Sequence, residues 1–283
     1  MTTSINKMTT EQFAQFRKVI YDHSGIWFPE NKQYLLESRL NRRMTSLQID
    51  SFDQYHMLLT TGPFRDDEFQ EMCNAITINE TSFFRNEGQL EIFENHLLSD
   101  LIEKRKNIKR LRIWSAACSS GEEPYTLGII LNRTLGIRMM DWRIEILATD
   151  LSERVLDLAA EGVYGSFSFR TVSDRDKQTN FKETDQGLAI NDNIKQLVHF
   201  QKHNLRDTLA AKRFGQFDAI FCRNVMIYFD DQMRANCVSM FHDRLAPDGV
   251  LCVGHSESIR NDARFTEHPD PKAFAYHKSG GKA

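Results

Sequence analysis

Apolar side chains recur at three- and four-residue intervals through the first 76 residues, a spacing typical of amphipathic helices. Four such stripes follow one another: Phe13, Phe16 and Ile20; Leu36, Leu40, Met44 and Leu47; Phe52, Tyr55 and Leu59; and Phe69, Met72, Cys73 and Ile76. Thr9 to Gln12 fits a capping box at the first stripe, and Gly62-Pro63 ends the third. Residues 1–76 are therefore predicted to form an all-helical domain.

The pattern changes after Thr77, where a polar, irregular linker of residues 77–87 separates the helical region from the rest. A helix is predicted from about Gly88 to Arg105, and strands and helices then alternate. The strand-like runs are Leu111–Ala116, Arg143–Ala148, Phe217–Cys222 and Gly249–Val253, and the helical patterns are Glu123–Leu135, Ser152–Glu161 and Asp231–Leu245. Such alternation predicts an α/β domain over residues 88–283, with a parallel, doubly wound sheet.

Residues 163–200 are too many for a simple connection between neighbouring elements of that sheet. Short strands are predicted at Gly187–Ile190 and Gln196–Phe200. We therefore expect this segment to form a small antiparallel β-subdomain inserted into the α/β domain.

Composition narrows the class of protein. The chain has 283 residues, is 41% hydrophobic and has a formal net charge of −3, so no bulk attraction to nucleic acid is implied. Its five cysteines form no C-x-x-C pair, which argues against a zinc or disulfide framework and fits a reducing cytosol. The sequence shows neither a signal peptide nor a run near the roughly 18 apolar residues of a membrane span. We expect a cytoplasmic protein without a metal site.

The turn between the strand ending at Ala116 and the next helix is the most informative local feature. Its small residues and Gly121 let a ligand approach the backbone, and the helix start offers unpaired N–H groups. Glu122 and Glu123 begin that helix and would repel a phosphate. The pattern therefore favours a ligand with a cation and hydroxyl groups, and S-adenosylmethionine, with its sulfonium, amino group and ribose, fits.

Three further polar positions follow strand-like runs, where doubly wound sheets bind their ligands. Asp150 can accept hydrogen bonds from ribose hydroxyls. Asn204 can pair with the edge of an adenine ring, and Leu205 can cover the face of that ring. The third is the stretch Arg223–Tyr228. A G-x-G-x-x-G fingerprint is absent, which disfavours a nicotinamide enzyme, and no Asn-Pro-Pro-Tyr motif indicates a nucleic-acid amino methyltransferase.

Each position also has a simpler interpretation. Asp150 could cap the following helix, Asn204 could be a turn residue and Tyr228 a packed aromatic. Glu122 and Glu123 could serve only the helix dipole. Because all four positions would converge on one crevice, the joint pattern favours a cofactor site.

Four motifs occur in an order that resembles the chemotaxis receptor glutamate methyltransferases, the CheR family. They are Thr77–Arg85, Ser115–Tyr125, Phe217–Phe229 and Gly254–Ser258. Cys118 and Ser120 replace residues that vary in the family. The resemblance runs over nearly the whole chain and includes a helical N-terminal domain of the right size.

This resemblance implies a Rossmann-like domain that transfers a methyl group from S-adenosylmethionine to glutamate side chains on chemoreceptor cytoplasmic domains, leaving S-adenosylhomocysteine. It implies cofactor contacts from Asn79, Thr81, Arg85, Glu123, Asp150, Asn204, Leu205, Arg223 and Asn224. It places Arg85 and Tyr228 near the reacting methyl group. We expect a monomer that is recruited to receptor arrays.

A basic helix face gives the N-terminal domain a candidate role. Arg39, Arg42 and Arg43 lie on one side of the Leu36–Leu47 stripe, and the methylation regions of receptors are acidic helices, so these residues could recognise the receptor. The alternative is an ordinary solvated face. Any attraction would be local, because acids crowd the last helix of the domain.

Two other functions stay open. The chain could be a methyltransferase of the same fold that acts on another acceptor, or an adaptor that keeps the cofactor pocket without catalysis. An adaptor need not keep both Arg85 and Tyr228. Whether the β-subdomain docks a receptor's C-terminal tether is left open.

Overall fold

The computed structural model describes residues 6–63, 65–77 and 80–279, and the chain divides into two compact units. Unit 1 comprises Met1–Ile78 with Tyr228–Met233, and unit 2 comprises Asn79–Ile227 with Arg234–Ala283.

The described residues of unit 1 form four α-helices: α1 (Thr10–Ser24), α2 (Gln33–Ser46), α3 (Phe52–Thr61) and α4 (Arg65–Ile76). The predicted capping box is confirmed, since the Gln12 N–H donates to Thr9 Oγ1 at 3.2 Å and the Thr9 N–H donates to Gln12 Oε1 at 3.1 Å. The predicted apolar stripes meet in the core, where Phe16, Leu36 and Tyr55 are fully buried.

The regular elements after residue 86 alternate as predicted. In chain order they are α5 (Glu87–Ile92), a π-helical turn (Phe93–Leu98), α6 (Ser99–Arg105), β1 (Arg110–Ala116), α7 (Glu122–Leu135), β2 (Arg143–Asp150), α8 (Glu153–Glu161), β3 (Val163–Tyr164), α9 (Asp174–Asn180), β4 (Phe181–Thr184), β5 (Gly187–Ile190), α10 (Asp192–Lys195), β6 (Val198–Lys202), β7 (Phe217–Cys222), α11 (Asp231–Arg244), β8 (Leu245–Val253), β9 (Phe265–Glu267) and β10 (Ala275–Lys278), with short 3-10 turns between them.

In the part of the chain that the structure describes, the main sheet has seven strands in the order β6-β2-β1-β7-β8-β10-β9. The first five are mutually parallel, as predicted, whereas β10 runs antiparallel to both β8 and β9. The sheet is therefore mixed, and its C-terminal hairpin was not predicted. The strand order reverses between β1 and β7, so the carboxyl ends of these two strands flank the crevice where such sheets bind ligands.

The predicted antiparallel subdomain is present as a three-stranded sheet in the order β3-β5-β4. The second strand expected there, Gln196–Phe200, is wrong in its placement. That stretch contributes to β6, which pairs in parallel with β2 at the edge of the main sheet. Its local pattern could not reveal this, because an edge strand of either sheet has the same half-buried character.

Among the described residues, no helix is long and apolar enough to cross a membrane. Those residues also hold no group of three or more histidine, cysteine or acidic side chains placed to bind a metal ion.

Candidate cofactor-binding site

The turn between β1 and α7 is tightly wound, with Ala117 at φ 64°, Ser119 at φ 50° and Gly121 at φ 94°. A Cβ at Gly121 would lie 2.8 Å from Ala159 Cβ and 2.9 Å from Tyr164 Oη. Glycine is required there both for its left-handed backbone and for this close packing. The turn therefore places backbone that carries only small side chains at the carboxyl ends of the strands.

Asp150, the last residue of β2, holds the β1–α7 turn in place. Its Oδ2 accepts from the Ser119 N–H at 2.9 Å, and its Oδ1 accepts from the Ser152 N–H at 3.0 Å. Burial raises the pKa of Asp150, and these backbone donors act in the opposite direction. The cap of α8 is Ser152, whose Oγ accepts from the Val155 N–H. Asp150 is thus not the cap, and the further lone pairs of its carboxylate can accept from hydroxyl groups.

The two acids at the start of α7 have different surroundings. Glu122 is buried and accepts from the hydroxyls of Ser120 and Ser168, each at 2.8 Å. Its carboxylate is therefore occupied by hydrogen bonds within unit 2.

Glu123 instead forms an ion pair across the switch point, the place between β1 and β7 where the strand order reverses. Its Oε2 lies 3.1 Å from Arg223 Nη1, directly after β7, and its Oε1 accepts from the Ser115 hydroxyl at 2.7 Å. Arg223 is 8% exposed and also donates through Nη2 to the backbone carbonyl of Arg85. Its buried Nε–H has no hydrogen-bond partner among the described residues. A carboxylate beside a guanidinium suits a ligand with both an ammonium and a carboxylate.

The backbone after β7 is held by a residue that sequence reasoning did not single out. The carboxylate of Glu257 accepts from the backbone N–H groups of Asn224 at 2.9 Å, Val225 at 3.1 Å and Gly254 at 2.6 Å. Glu257 is 7% exposed, and Asn224 has a φ of 60°. The motif Gly254–Ser258 contained this residue, but its partners 32 and 33 positions away in sequence are visible only in the fold.

The segment after β6 lies beside the end of β2, since the His203 N–H donates to the Asp150 carbonyl at 2.9 Å. Asn204 Oδ1 accepts from the Arg206 N–H at 3.0 Å, which agrees with the turn interpretation of Asn204. Leu205 is buried. The predicted roles of Asn204 and Leu205 towards adenine stay predictions.

The linker residues have less defined surroundings. Arg85 Nη1 donates to the Glu80 carbonyl at 2.8 Å, and Arg85 and Asn224 both line a cavity of about 520 Å³. Thr81 is partly buried. Asn79 lies outside the described residues, so its predicted cofactor contact stays untested.

Tyr228 belongs to unit 1, where its backbone carbonyl accepts from the Trp27 N–H at 2.8 Å. Residues Ile26 and Phe229 form an isolated antiparallel bridge in the same place. The catalytic role that the resemblance gives to Tyr228 stays a prediction.

The basic face of α2 is less open than its sequence suggests. Arg43 makes a two-point contact with Glu68, with Nε to Oε1 at 2.9 Å and Nη2 to Oε2 at 2.6 Å, and Tyr55 also donates to this carboxylate. Arg39 donates to the Ile76 carbonyl. Arg42 is exposed. Of the three predicted receptor contacts, Arg42 is therefore the most available.

Comparison with known proteins adds the family. Residues 79–274 match the model of the CheR methyltransferase SAM-binding domain, and residues 11–77 match that of the CheR methyltransferase all-alpha domain. Together these two matches account for most of the chain, including most of the predicted linker of residues 77–87.

Curated relatives match over nearly their full length. The chain is 37% identical to chemotaxis protein methyltransferase 2 of Vibrio cholerae over 274 residues, which cover 96% of this chain and 94% of the relative. It is 35% identical to the chemotaxis protein methyltransferase of Borreliella burgdorferi over 277 residues, 93% of this chain and 95% of the relative. The methyltransferase domain of bacterial CtHen1 is a far more distant structural neighbour, with 14% identity, a TM-score of 0.32, and coverage of 60% of this chain and 66% of that one.

Proposed function

The chain belongs to the CheR methyltransferase family, and on that premise we propose that it methylates glutamate side chains on the cytoplasmic domains of chemoreceptors. It is an S-adenosylmethionine-dependent methyltransferase of chemotaxis. The identity of the acceptor, a glutamate side chain, is the part of this function that we propose. The observation that supports the site most directly is the Glu123–Arg223 pair at the switch point of the sheet.

The residues around that pair fit the donor. Glu123 can hold an ammonium group, and Arg223, whose Nε–H has no described partner, can hold a carboxylate. Asp150 can accept from ribose hydroxyls while it fixes the Ser119 backbone. Gly121 lets the β1–α7 turn pack against Ala159 and Tyr164, where a side chain would collide. When bound, S-adenosylmethionine supplies an electrophilic methyl group.

The acceptor needs no strong base in this reaction. A glutamate carboxylate is already ionised at neutral pH, with an ordinary pKa of about 4.3. The protein must therefore orient the carboxylate and exclude water. Arg85 is the group we assign to orientation, because it lines the same cavity as Asn224, the residue that follows Arg223, and a guanidinium can pair with a carboxylate. Strong pairing would also weaken the nucleophile, so its contribution is one of position.

Arg85→Ala tests this assignment. Loss of the guanidinium should lower turnover about 100-fold or more, the scale of a misplaced reacting group, with little change in donor affinity. Steady-state kinetics and calorimetric titration with S-adenosylmethionine measure the two quantities. Full activity in Arg85→Ala would remove Arg85 from the mechanism.

The proposed function itself is tested by mixing labelled S-adenosylmethionine with cytoplasmic fragments of chemoreceptors. Transfer of base-labile label to a fragment supports ester formation. Donor binding without transfer to any receptor fragment would instead favour an adaptor, and transfer to a different acceptor would favour a relative with another substrate.

A further inference from the structure

The cavity beside Arg85 is basic on several sides. It is lined by Arg85, Asn86, Gly88, Gln89, Asn224, His255, Lys272 and Phe274. Its volume of about 520 Å³ is within the range of roughly 300–1,000 Å³ that is usual for ligand pockets. No acidic side chain is among these lining residues, so the described wall of the cavity suits an anionic occupant.

The position of this cavity follows from the sheet. Asn224 follows β7, His255 follows β8, and Phe274 precedes β10. The cavity therefore lies over the carboxyl end of β8, displaced from the Glu123–Arg223 pair by one strand. An acceptor chain there would lie beside Arg85 and Asn224, which line this cavity.

Hydrogen bonds from Gln89 hold one wall of the cavity together. Gln89 is 1% exposed, and its Nε2 donates to the Val253 and Ala273 carbonyls, both at 2.9 Å. It thereby ties α5 to the end of β8 and to the short turn that carries Lys272. The Lys272 backbone N–H donates to Asp270 Oδ1 at 2.9 Å, which fixes that turn.

A strained residue closes the same wall. Phe274 has a φ of 43° and a ψ of 43°, which bulky side chains rarely adopt. Its ring meets the His255 ring edge-on, with centroids 6.5 Å apart. Backbone strain of this kind is concentrated at ligand sites, where the surrounding structure holds it.

We propose that Lys272 and His255 form a second anion-binding position beside Arg85, which receives another acidic side chain of the acceptor protein. This inference rests on the proposed function, in which Arg85 orients the glutamate that is methylated. Lys272 is exposed and has no acidic partner among the described residues, so its ammonium is available to the acceptor. The position would select acceptor glutamates that have a second carboxylate close by.

Charge reversal at Lys272 tests the proposal. In methyl transfer to a receptor fragment, Lys272→Glu should raise the KM for the fragment about tenfold, because like charges would face each other. The kcat and the Kd for S-adenosylmethionine should change less than about twofold, and Lys272→Arg should restore the KM. Lys106→Glu is the matched control. Lys106 is exposed and precedes β1, so it lies at the amino end of the parallel strands, away from the carboxyl ends where the cavity lies.

Substitutions in the acceptor complete a double-mutant cycle with Lys272→Glu. Changing acidic residues that neighbour the methylated glutamate to glutamine should raise the KM of the unmodified enzyme and leave the Lys272→Glu variant nearly unaffected. Equal KM values for Lys272→Glu and Lys106→Glu would overturn the second anion position while leaving the methyltransferase function intact. No transfer by the unmodified enzyme would overturn the proposed function and, with it, this inference.

Discussion

At the scale of single residues, one buried carboxylate determines the shape of the backbone after β7. Glu257 accepts three backbone N–H groups, two of which come from the segment that follows Arg223. Buried acceptors of this kind are effective because each satisfied donor would otherwise be buried without a partner. Glu257 therefore positions Arg223 indirectly, through the main chain.

Glu257→Gln should lower the free energy of unfolding by about 1–3 kcal/mol, because an amide nitrogen would face a backbone donor. The affinity for S-adenosylmethionine should fall with it. Denaturant titration and calorimetry measure the two effects. Glu267→Gln is the control, since Glu267 pairs with the exposed Arg260 and surface pairs contribute little. Equal stability of the two variants would contradict this role.

His203 is a buried residue that makes the stability of the protein depend on pH. Its ring packs against Phe214 and Trp114, with centroid distances of 4.9 and 5.9 Å, and its Nε2 has no partner among the described residues. Burial lowers the pKa of His203 below its ordinary value of 6.5, with a smaller opposing effect from Asp207. Below pH 6.5 the unfolded chain therefore binds more protons at this site than the folded one.

It follows that His203 lowers the free energy of unfolding as the pH drops below about 6.5 and has no such effect above it. His203→Phe keeps the aromatic packing and should flatten this slope between about pH 5 and 6.5. Some slope should remain, because burial also lowers the pKa of His277. Chemical denaturation at a series of pH values measures the change, and an unaltered slope would rule out the assignment.

At the scale of elements, the β1–α7 turn depends on Gly121. An alanine there would have a left-handed backbone, which costs about 1–2 kcal/mol, and its Cβ would collide with Ala159. Gly121→Ala should therefore lose at least about 2 kcal/mol of stability and most of its donor affinity.

Gly165→Ala is the comparison, because Gly165 has an ordinary φ of −83° and open space where an added Cβ would lie. That substitution should be neutral or stabilising by up to about 1 kcal/mol. Thermal unfolding of both variants decides the matter. If Gly121→Ala were as stable as Gly165→Ala, the close packing of the turn would be contradicted.

Helices α2 and α4 are joined by the partly buried Arg43–Glu68 pair. Arg43→Met should cost about 3 kcal/mol, because Glu68 would keep its charge in a 6% exposed position. Arg42→Met should change stability by less than about 0.5 kcal/mol and should raise the KM for receptor fragments. Unfolding and kinetic measurements separate the two roles, and an Arg42→Met variant with unchanged KM would leave the α2 face without a role in recognition.

Elements with strong internal patterns were predictable. The apolar stripes of α1 to α4 and the apolar runs of β1, β2, β7 and β8 bury their own side chains, so their periodicity appears in the sequence. Strands β9 and β10 are short and gain their stability from pairing, β10 with β8 and β9 with β10, which no local pattern records. The same is true of β6, whose partner is β2.

At the scale of the whole molecule, site residues were predictable where topology alone places them. Glu123, Asp150 and Arg223 follow or flank parallel strands, so their convergence follows from the fold class. The contacts of Glu257 depend on the neighbouring ends of β7 and β8, and those of Gln89 and the position of Lys272 depend on how α5 packs against the turn before β10, so all three required the structure.

The central claim is that this methyltransferase forms a glutamate methyl ester on a chemoreceptor. The most direct measurement is mass-spectrometric mapping of receptor cytoplasmic fragments after incubation with the protein and S-adenosylmethionine. We predict methylation on glutamate side chains, lost on base treatment and slowed about 100-fold or more with Arg85→Ala. Methylation confined to other residue types, or fragments that stay unmodified while S-adenosylmethionine binds, would contradict the claim.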